Sequence, residues 1–171
     1  MNDLNQALDL LLRAHRRYYT IHESAPAPFQ AHAEFHMAEE QVFLTRNIKL
    51  NEVESSEYVY FALEEMLTPE RLTALDEAAW RLGSAHFAPA WGRKGMDVVL
   101  VILTNELSAE AAQMIPRLRR SLSAGLSLKG WSNYRLIAME LPSGRVACNR
   151  LGRRLEKVLR NSLNTKERTT K

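Results

Sequence analysis

The chain has 171 residues, the size of one ordinary domain, and it is 46% apolar and 25% charged, close to the averages of globular proteins. This composition excludes a disordered chain and a membrane protein, and the N-terminus lacks the basic start and apolar centre of a secretory signal. A single cysteine, Cys148, excludes an internal disulfide framework or a cysteine-rich zinc site and is expected to be a small buried apolar residue in a strand. We therefore expect a cytoplasmic protein with no membrane span.

Charge is unevenly distributed along the chain. Residues 143–171 contain nine Lys or Arg against two Glu, whereas the net charge of the whole chain is only +3, so the remainder is acidic. A basic C-terminal segment of this kind can contact nucleic acid or anionic lipid. A surface helix with a solvated, frayed end is the simpler explanation.

The first part of the chain combines one helix with strand-like segments. Apolar residues at helical spacing predict a helix over residues 3–19, which a short proline-containing linker at 24–28 ends. Residues 32–50 predict a first hairpin that includes the strand formers at 42–45. Residues 57–63 are apolar on both faces from Tyr58 onward and predict a central strand.

The middle of the chain predicts two helices around a buried strand. Thr68 precedes a proline and an acid, a pattern typical of a helix start, and predicts a helix over residues 69–82. Residues 97–104 predict a strand buried on both faces, followed by a helix that Ser108 caps. The strand-like residues 122–128 then predict a crossover unit with parallel pairing.

The end of the chain predicts a second hairpin and a last helix. Residues 131–141 and 146–148 alternate as strands around a Pro-Ser-Gly turn. Asn149 predicts a cap for a helix over residues 150–163, with an apolar stripe of Leu151, Leu155, Val158 and Leu159.

The predicted elements together define an α+β (mixed α/β) fold, with one mixed sheet of about six or seven strands flanked by about four helices. We expect a single domain over residues 1–163 and a polar, basic tail over residues 164–171.

His32, Glu34 and His36 form the candidate metal site of the sequence. Residues two apart on a strand project from one face, and two histidines with a carboxylate are ligands of many zinc and non-haem iron centres. The spacing is not that of the helical His-Glu-x-x-His motif, and alternate residues of a strand lie about 6.6 Å apart, which is long for three ligands of one ion. A solvated polar strand face is the simpler explanation, and a metal site is the alternative.

The second candidate site combines Trp131 with Arg150, Arg153, Arg154 and Lys157. These residues predict a surface for an anion or nucleic acid, because arginines and free N–H groups meet at a helix N-terminus. A core tryptophan and a capped, solvated helix are the simpler explanation. The sequence contains no phosphate-loop, dinucleotide-binding or nucleophile-elbow motif, so no cofactor is predicted.

The order of the predicted elements resembles the core of restriction-endonuclease-like nucleases. In that family an Asp on one strand and a Glu-x-Lys on the next hold the metal, which this resemblance would imply for the strands at 41–50 and 57–64. The first of these segments has no acid and the second has no lysine. A shared fold would therefore come without the catalytic set.

Four short motifs carry a second resemblance. They are residues 42–46 (VFLTR), residues 57–61 (EYVYF), Gly130-Trp131 with residues 135–137 (RLI), and Asn149-x-x-Gly152. In this order they resemble an uncharacterised family of small bacterial proteins known only as a domain of unknown function, over about residues 35–159. The resemblance implies no activity.

These patterns favour a non-catalytic cytosolic binding domain that contacts an anion or nucleic acid through its C-terminal helix. The alternative is a metal-dependent hydrolase, or a degenerate restriction-endonuclease-like nuclease, centred on the first hairpin. The sequence leaves both nucleic acid and a second copy of the chain open as partners, and it does not decide whether the protein is an enzyme.

Overall fold

A sheet forms the centre of the protein, and helices cover both of its faces. The computed structural model describes residues 3–36, 53–89, 93–127 and 129–164. The strands within these ranges are β1 (Thr20–His22), β2 (Ala31–His36), β3 (Val53–Leu67), β4 (Arg93–Leu107), β5 (Ser121–Ser123), β6 (Trp131–Glu140) and β7 (Val146–Cys148). The α-helices are α1 (Leu4–His15), α2 (Pro69–Ser84), α3 (Ala109–Met114) and α4 (Leu155–Asn164), and 3₁₀ turns follow α3 at Ile115–Arg117 and precede α4 at Gly152–Arg154.

The sheet of the described residues is mixed. Its seven strands run in the order β1-β2-β3-β4-β6-β5, and β7 also pairs with β6. The pairs β3/β4 and β4/β6 are parallel, whereas the remaining pairs are antiparallel. This arrangement, with four α-helices in the same ranges, confirms the predicted α+β class and the predicted mixed sheet.

Each face of the sheet has its own apolar core. Along β3, Tyr58 and Tyr60 face the core that α2 and α3 cover, whereas Val59 and Phe61 face the core that α1 and α4 cover. The central strands β3 and β4 are therefore buried on both faces of the sheet. This burial explains why the middle of each strand is apolar and does not alternate with polar residues. The predicted central strand at 57–63 is confirmed, and it lies within the longer β3.

The helix starts follow the predicted caps. The hydroxyls of Thr68 and Ser108 accept hydrogen bonds from the N–H groups of Arg71 (3.3 Å) and Ala111 (3.2 Å). These bonds satisfy donors that the first turn of a helix leaves free. The helix predicted over residues 69–82 is confirmed as α2.

The predicted parallel partner of the buried strand is wrong. Within the described residues 122–127, only the part included in β5 is a strand, and it pairs antiparallel with β6. The parallel partner of β4 is β6. The physical reason is a turn, because Gly125, Leu126 and Ser127 all have positive φ angles, which an extended strand does not contain.

The ends of two predicted helices are also corrected. The first helix ends at His15 instead of residue 19, because Thr20 and Ile21 pair with β2 as the edge strand β1. The last α-helix begins at Leu155, after a 3₁₀ turn, instead of at residue 150. Val158 is 52% exposed and does not belong to the buried stripe, whereas Leu159 is buried. Cys148 is only partly buried in β7.

Some expectations concern residues outside the described ranges. The strand expected at 42–45 lies there, and so does the basic tail, except for Asn164 at the end of α4. Within the described ranges, each helix is too short or too polar to traverse a lipid bilayer.

Candidate metal centre

The register of the first three strands collects ionisable side chains on one face of the sheet. His22 of β1 pairs with His32 of β2, and Glu34 lies two residues further along β2. His32 and Glu34 lie opposite Tyr60 and Tyr58 of β3. Because side chains alternate along a strand, all of these groups share the face that α2 covers. Among the described strands β1 lies at the sheet edge, and the side chain of His22 is 41% exposed.

Three donor atoms converge on this face, and we call His22, His32 and Glu34 the metal cluster. Glu34 Oε1 lies 3.4 Å from His32 Nε2 and 3.8 Å from His22 Nε2. Each residue can present one ligand atom within 4.8 Å of the other two. In a tetrahedral zinc site with bonds of about 2.0–2.1 Å, donor atoms lie about 3.4 Å apart. Two of the separations are thus near this value, and the separation between the two histidine donors is at most 4.8 Å. Because the lone pair of an imidazole nitrogen lies in the ring plane, one of the two rings has to turn for both to bind a single ion.

Two imidazole nitrogens of the metal cluster have no hydrogen-bond partner in the described part of the chain. They are His22 Nε2 and His32 Nδ1, and both atoms are buried. The two rings stack with centroids 4.3 Å apart and an angle of 10° between their planes. A buried, unpaired polar atom costs about 1–3 kcal/mol. A metal ion bound at His22 Nε2 would remove part of that cost.

The surroundings of His32 favour its neutral imidazole form. Burial lowers the pKa of His32 and the neighbouring His22 lowers it further, whereas Glu34 acts in the opposite direction. The neutral ring is the form that coordinates a metal ion. Burial, and secondarily Glu34, raises the pKa of Tyr60 to about 12, so this phenol is protonated at neutral pH.

His36 contacts the same carboxylate from its other side. His36 Nε2 lies 3.5 Å from Glu34 Oε2, and His36 Nδ1 lies 3.2 Å from Ser56 Oγ. His36 is not one of the three residues whose donor atoms converge. Its geometry is that of a residue that orients a ligating carboxylate. The structure thus brings His32, Glu34 and His36 to one face, with Glu34 between the two histidines.

The sequence reasoning did not find His22. This residue ends a three-residue edge strand, which is too short to show an alternating pattern. The available signal was the pair of β-branched residues before it, Thr20 and Ile21. With His22 from a neighbouring strand, the ligand set no longer depends on three residues of one strand, so the objection from the 6.6 Å spacing does not apply to it.

Histidines are concentrated around this face. The chain has five histidines, and His86, which follows α2, also lies here because its ring stacks on Tyr58 at 4.0 Å. His15 lies on the opposite side of the sheet, where it contacts Phe61 and its Nδ1 lies 2.7 Å from the carbonyl of Leu11.

Trp131 lies apart from the four basic residues of the predicted anion surface. Trp131 lies at the start of β6, where its ring packs against Gly95. The basic residues follow β7, which pairs with the opposite end of β6; they are Arg150, Arg153, Arg154 and Lys157, and all four are exposed. Among the described residues, no hydrogen bond joins Trp131 to them, and none of the four forms an ion pair with an acid.

Asn149 occupies the turn before α4, where an anion would have to bind to contact free N–H groups. Its Oδ1 accepts hydrogen bonds from the N–H groups of Leu136 (3.1 Å) and Gly152 (2.7 Å). Its Nδ2 donates to the carbonyls of Leu118 and Tyr134, both at 3.1 Å. The Gly152 N–H is therefore not available to a ligand, and Asn149 acts as a structural connector.

A charged cluster on the opposite face is also structural. Arg135 contacts Asp97 and lies 3.5 Å from Glu57 Oε2. The Tyr19 hydroxyl donates to Glu57 at 2.7 Å, and the Asn133 amide donates to Asp97 at 3.0 Å. Each carboxylate thus has an arginine and a neutral donor, which leaves little capacity for an external ligand.

A cleft of about 870 Å³ at the carboxyl ends of β3 and β4 is another candidate. Its polar lining is already paired, because Asn105 donates to Glu65 at 2.7 Å and Gln30 accepts from the Leu63 N–H at 2.8 Å. No buried unpaired atom of the described residues points into it. The metal cluster is the better candidate.

The fold and this site define an α+β domain with a histidine and carboxylate cluster on an accessible part of its sheet. The chain belongs to the family described as Domain of unknown function (DUF8052), whose family model matches residues 3–161. The expected membership of an uncharacterised family is thereby confirmed. No curated protein and no solved structure shows significant similarity to the chain.

Proposed function

We propose that this protein is a binding domain for a divalent transition metal, with zinc as the preferred ion and His22, His32 and Glu34 as ligands. The observation that carries the proposal is the buried, unpaired His22 Nε2, which lies 3.8 Å from a carboxylate oxygen that is itself 3.4 Å from His32. Imidazole and carboxylate ligands suit zinc, and tetrahedral zinc tolerates donor separations of this size.

Metal binding at this cluster would join two strands. His22 belongs to the short edge strand β1, whereas His32 and Glu34 belong to β2. A ligand that binds only the folded state stabilises it by RT ln(1 + [L]/Kd), or about 2.7 kcal/mol at one hundred times Kd. The proposal therefore includes an increase in thermal stability on addition of zinc.

The test is a calorimetric zinc titration of protein stripped with a chelator. We expect one zinc per chain and a loss of this binding in His22→Ala and in His32→Ala. His15→Ala is the matched control, because His15 lies on the opposite face, and it should bind zinc like the wild type. Circular dichroism of each variant confirms that it is folded. Absence of binding to wild type, or unchanged binding in His22→Ala, would refute the proposal.

A second candidate function is weak binding of nucleic acid or another polyanion by the start of α4. It is favoured by the exposed side chains of Arg153, Arg154 and Lys157, which have no acidic ion-pair partner among the described residues. Binding of this kind should be insensitive to base sequence, and log K should fall with log salt by about 0.9 per phosphate contact.

A fluorescent oligonucleotide titrated at two salt concentrations tests this candidate. A variant with Arg153→Gln, Arg154→Gln and Lys157→Gln should bind more weakly than wild type at low salt. A triple glutamine variant at Arg13, Arg17 and Arg119, which are also exposed, removes the same charge elsewhere and should bind more tightly than the first variant. Equal affinity of the two variants, or no binding at low salt, would exclude a site on α4.

A further inference from the structure

The cleft at the carboxyl ends of β3 and β4 has the size and the place of a small-molecule site. Its volume is about 870 Å³, within the range of about 300–1,000 Å³ that is usual for ligand pockets. In open α/β sheets, ligands bind outside the carboxyl ends of the parallel strands. The cleft and the metal cluster have no described residue in common, so a ligand of this cleft is a separate question from the zinc site.

Hydrogen bonds within the lining fix the polar side chains and use only one oxygen or nitrogen of each. Asn105 Nδ2 donates to Glu65 Oε2 at 2.7 Å, and Asp3 Oδ1 accepts from the N–H of Asn5 at 3.0 Å. The second carboxylate oxygens of Asp3 and Glu65, and the carbonyl oxygen of Asn105, are further acceptors on side chains that are already held in place. The cleft therefore offers acceptors to a ligand that donates hydrogen bonds.

The charge of the lining selects the sign of that ligand. Asp3 and Glu65 are acidic, and none of the described lining residues is basic. The start of α1 contributes a positive charge of only about half an elementary charge, which does not cancel the full charge of Asp3. A cleft lined by charges of one sign attracts ligands of the opposite sign. An ammonium group, with three donors and no acceptor, matches both properties.

Apolar residues form the rest of the match. Leu4, Leu63 and Pro142 line the same cleft, and a methylene chain gains from contact with such residues as it leaves water. The two carboxylates belong to separate elements, because Asp3 caps α1 and Glu65 lies in β3. We propose that the cleft binds a linear aliphatic diamine, with one ammonium group at each carboxylate and the methylene chain against the apolar residues.

Calorimetric titration of metal-free protein with 1,4-diaminobutane at low salt tests this site. We expect one diamine per chain. n-Butylamine has one ammonium group and should bind about fivefold more weakly, the effect expected when one solvent-accessible ion pair is lost. 1,4-Butanediol has the same chain length without charge and should give no heat of binding.

Two variants assign the binding to the cleft. Asp3→Asn and Glu65→Gln each remove one charge, and the new amide oxygens can still accept from the Asn5 N–H and from Asn105, so both variants should fold. Each should weaken diamine binding about fivefold. Glu77→Gln removes the same charge from the exposed side of α2, outside the cleft, and should bind the diamine like the wild type.

The results that would overturn the proposal are distinct. No heat of binding with the diamine would remove the site, and equal affinity for the diamine and the diol would remove the selection by charge. Wild-type affinity in both Asp3→Asn and Glu65→Gln would place the diamine outside this cleft. Because the protein is metal-free in each titration, these outcomes leave the proposed zinc site to its own test.

Discussion

Replacement of the buried Asn149 by alanine should strongly destabilise the protein. The side chain is 3% exposed and uses both lone pairs of Oδ1 and both N–H groups of Nδ2. It connects β6, at Leu136 and Tyr134, to the segments that contain Leu118 and Gly152. Alanine would remove all four hydrogen bonds and leave four backbone groups without their partner.

The expected cost follows from the number of these groups. An unpaired buried donor or acceptor costs about 1–3 kcal/mol, so four independent losses would cost about 4–12 kcal/mol. The contributions are not independent, because they share one side chain and water can enter the space that it vacates. We expect a decrease of about 3–5 kcal/mol in the free energy of unfolding. This is a large part of the total, which is roughly 5–15 kcal/mol for a typical domain.

Urea denaturation followed by circular dichroism measures this change. Asn105→Ala is the control, because the Asn105 side chain forms one hydrogen bond, to Glu65 near the surface, and it should change stability by less than about 0.5 kcal/mol. Asn149→Asp keeps the shape but places a carboxylate oxygen against two carbonyls, so it should also destabilise the protein at pH 7. A cost below about 1 kcal/mol for Asn149→Ala would show that these four hydrogen bonds contribute little to stability.

Three further predictions concern single residues. Gly152→Ala should abolish stable folding or nearly so in urea denaturation, because an added Cβ would lie 2.2 Å from the carbonyl oxygen of Leu136; stability close to wild type would show that the backbone can move there. The pKa of Glu140 is lowered first by the Ser143 hydroxyl and then by a backbone N–H, so its stabilisation is present above the usual glutamate pKa and is lost as pH falls through the lower folded-state value. Glu140→Gln should therefore be less stable than wild type at pH 7, and urea denaturation at a series of pH values should show this difference shrinking in acid; a constant difference would contradict this assignment. His36→Ala should weaken zinc binding about 10–100-fold in calorimetry without abolishing it, and an unchanged Kd would show that Glu34 needs no such support.

The long apolar segments made much of the fold predictable. β3 and β4 are buried on both faces, and such strands have continuous apolar sequences. Thr68 and Ser108 identified two helix starts because capping is a local interaction. The parallel partner of β4 could not be predicted from local sequence, because strand pairing is non-local. The short segment after Pro116 also contains enough apolar residues to resemble a strand.

The candidate site was predictable only in part. The alternation of His32, Glu34 and His36 placed them on one face, and this depends only on strand geometry. The contribution of His22 depends on the register between β1 and β2, which no local pattern specifies. The bonds of Asn149 to β6 could not be predicted for the same reason. Its hydrogen bond to the Gly152 N–H is local, whereas its bonds to Leu136 and Tyr134 join residues that are distant in the sequence.

The most direct test of the metal centre is an anomalous difference map at the zinc edge from crystals of zinc-loaded protein. We predict one peak per chain, about 2.0–2.1 Å from a nitrogen of His22 and a nitrogen of His32 and at a similar distance from Glu34 Oε1. His36 should remain on Glu34 Oε2. A peak held by other residues, or no peak between these three side chains, would contradict the account.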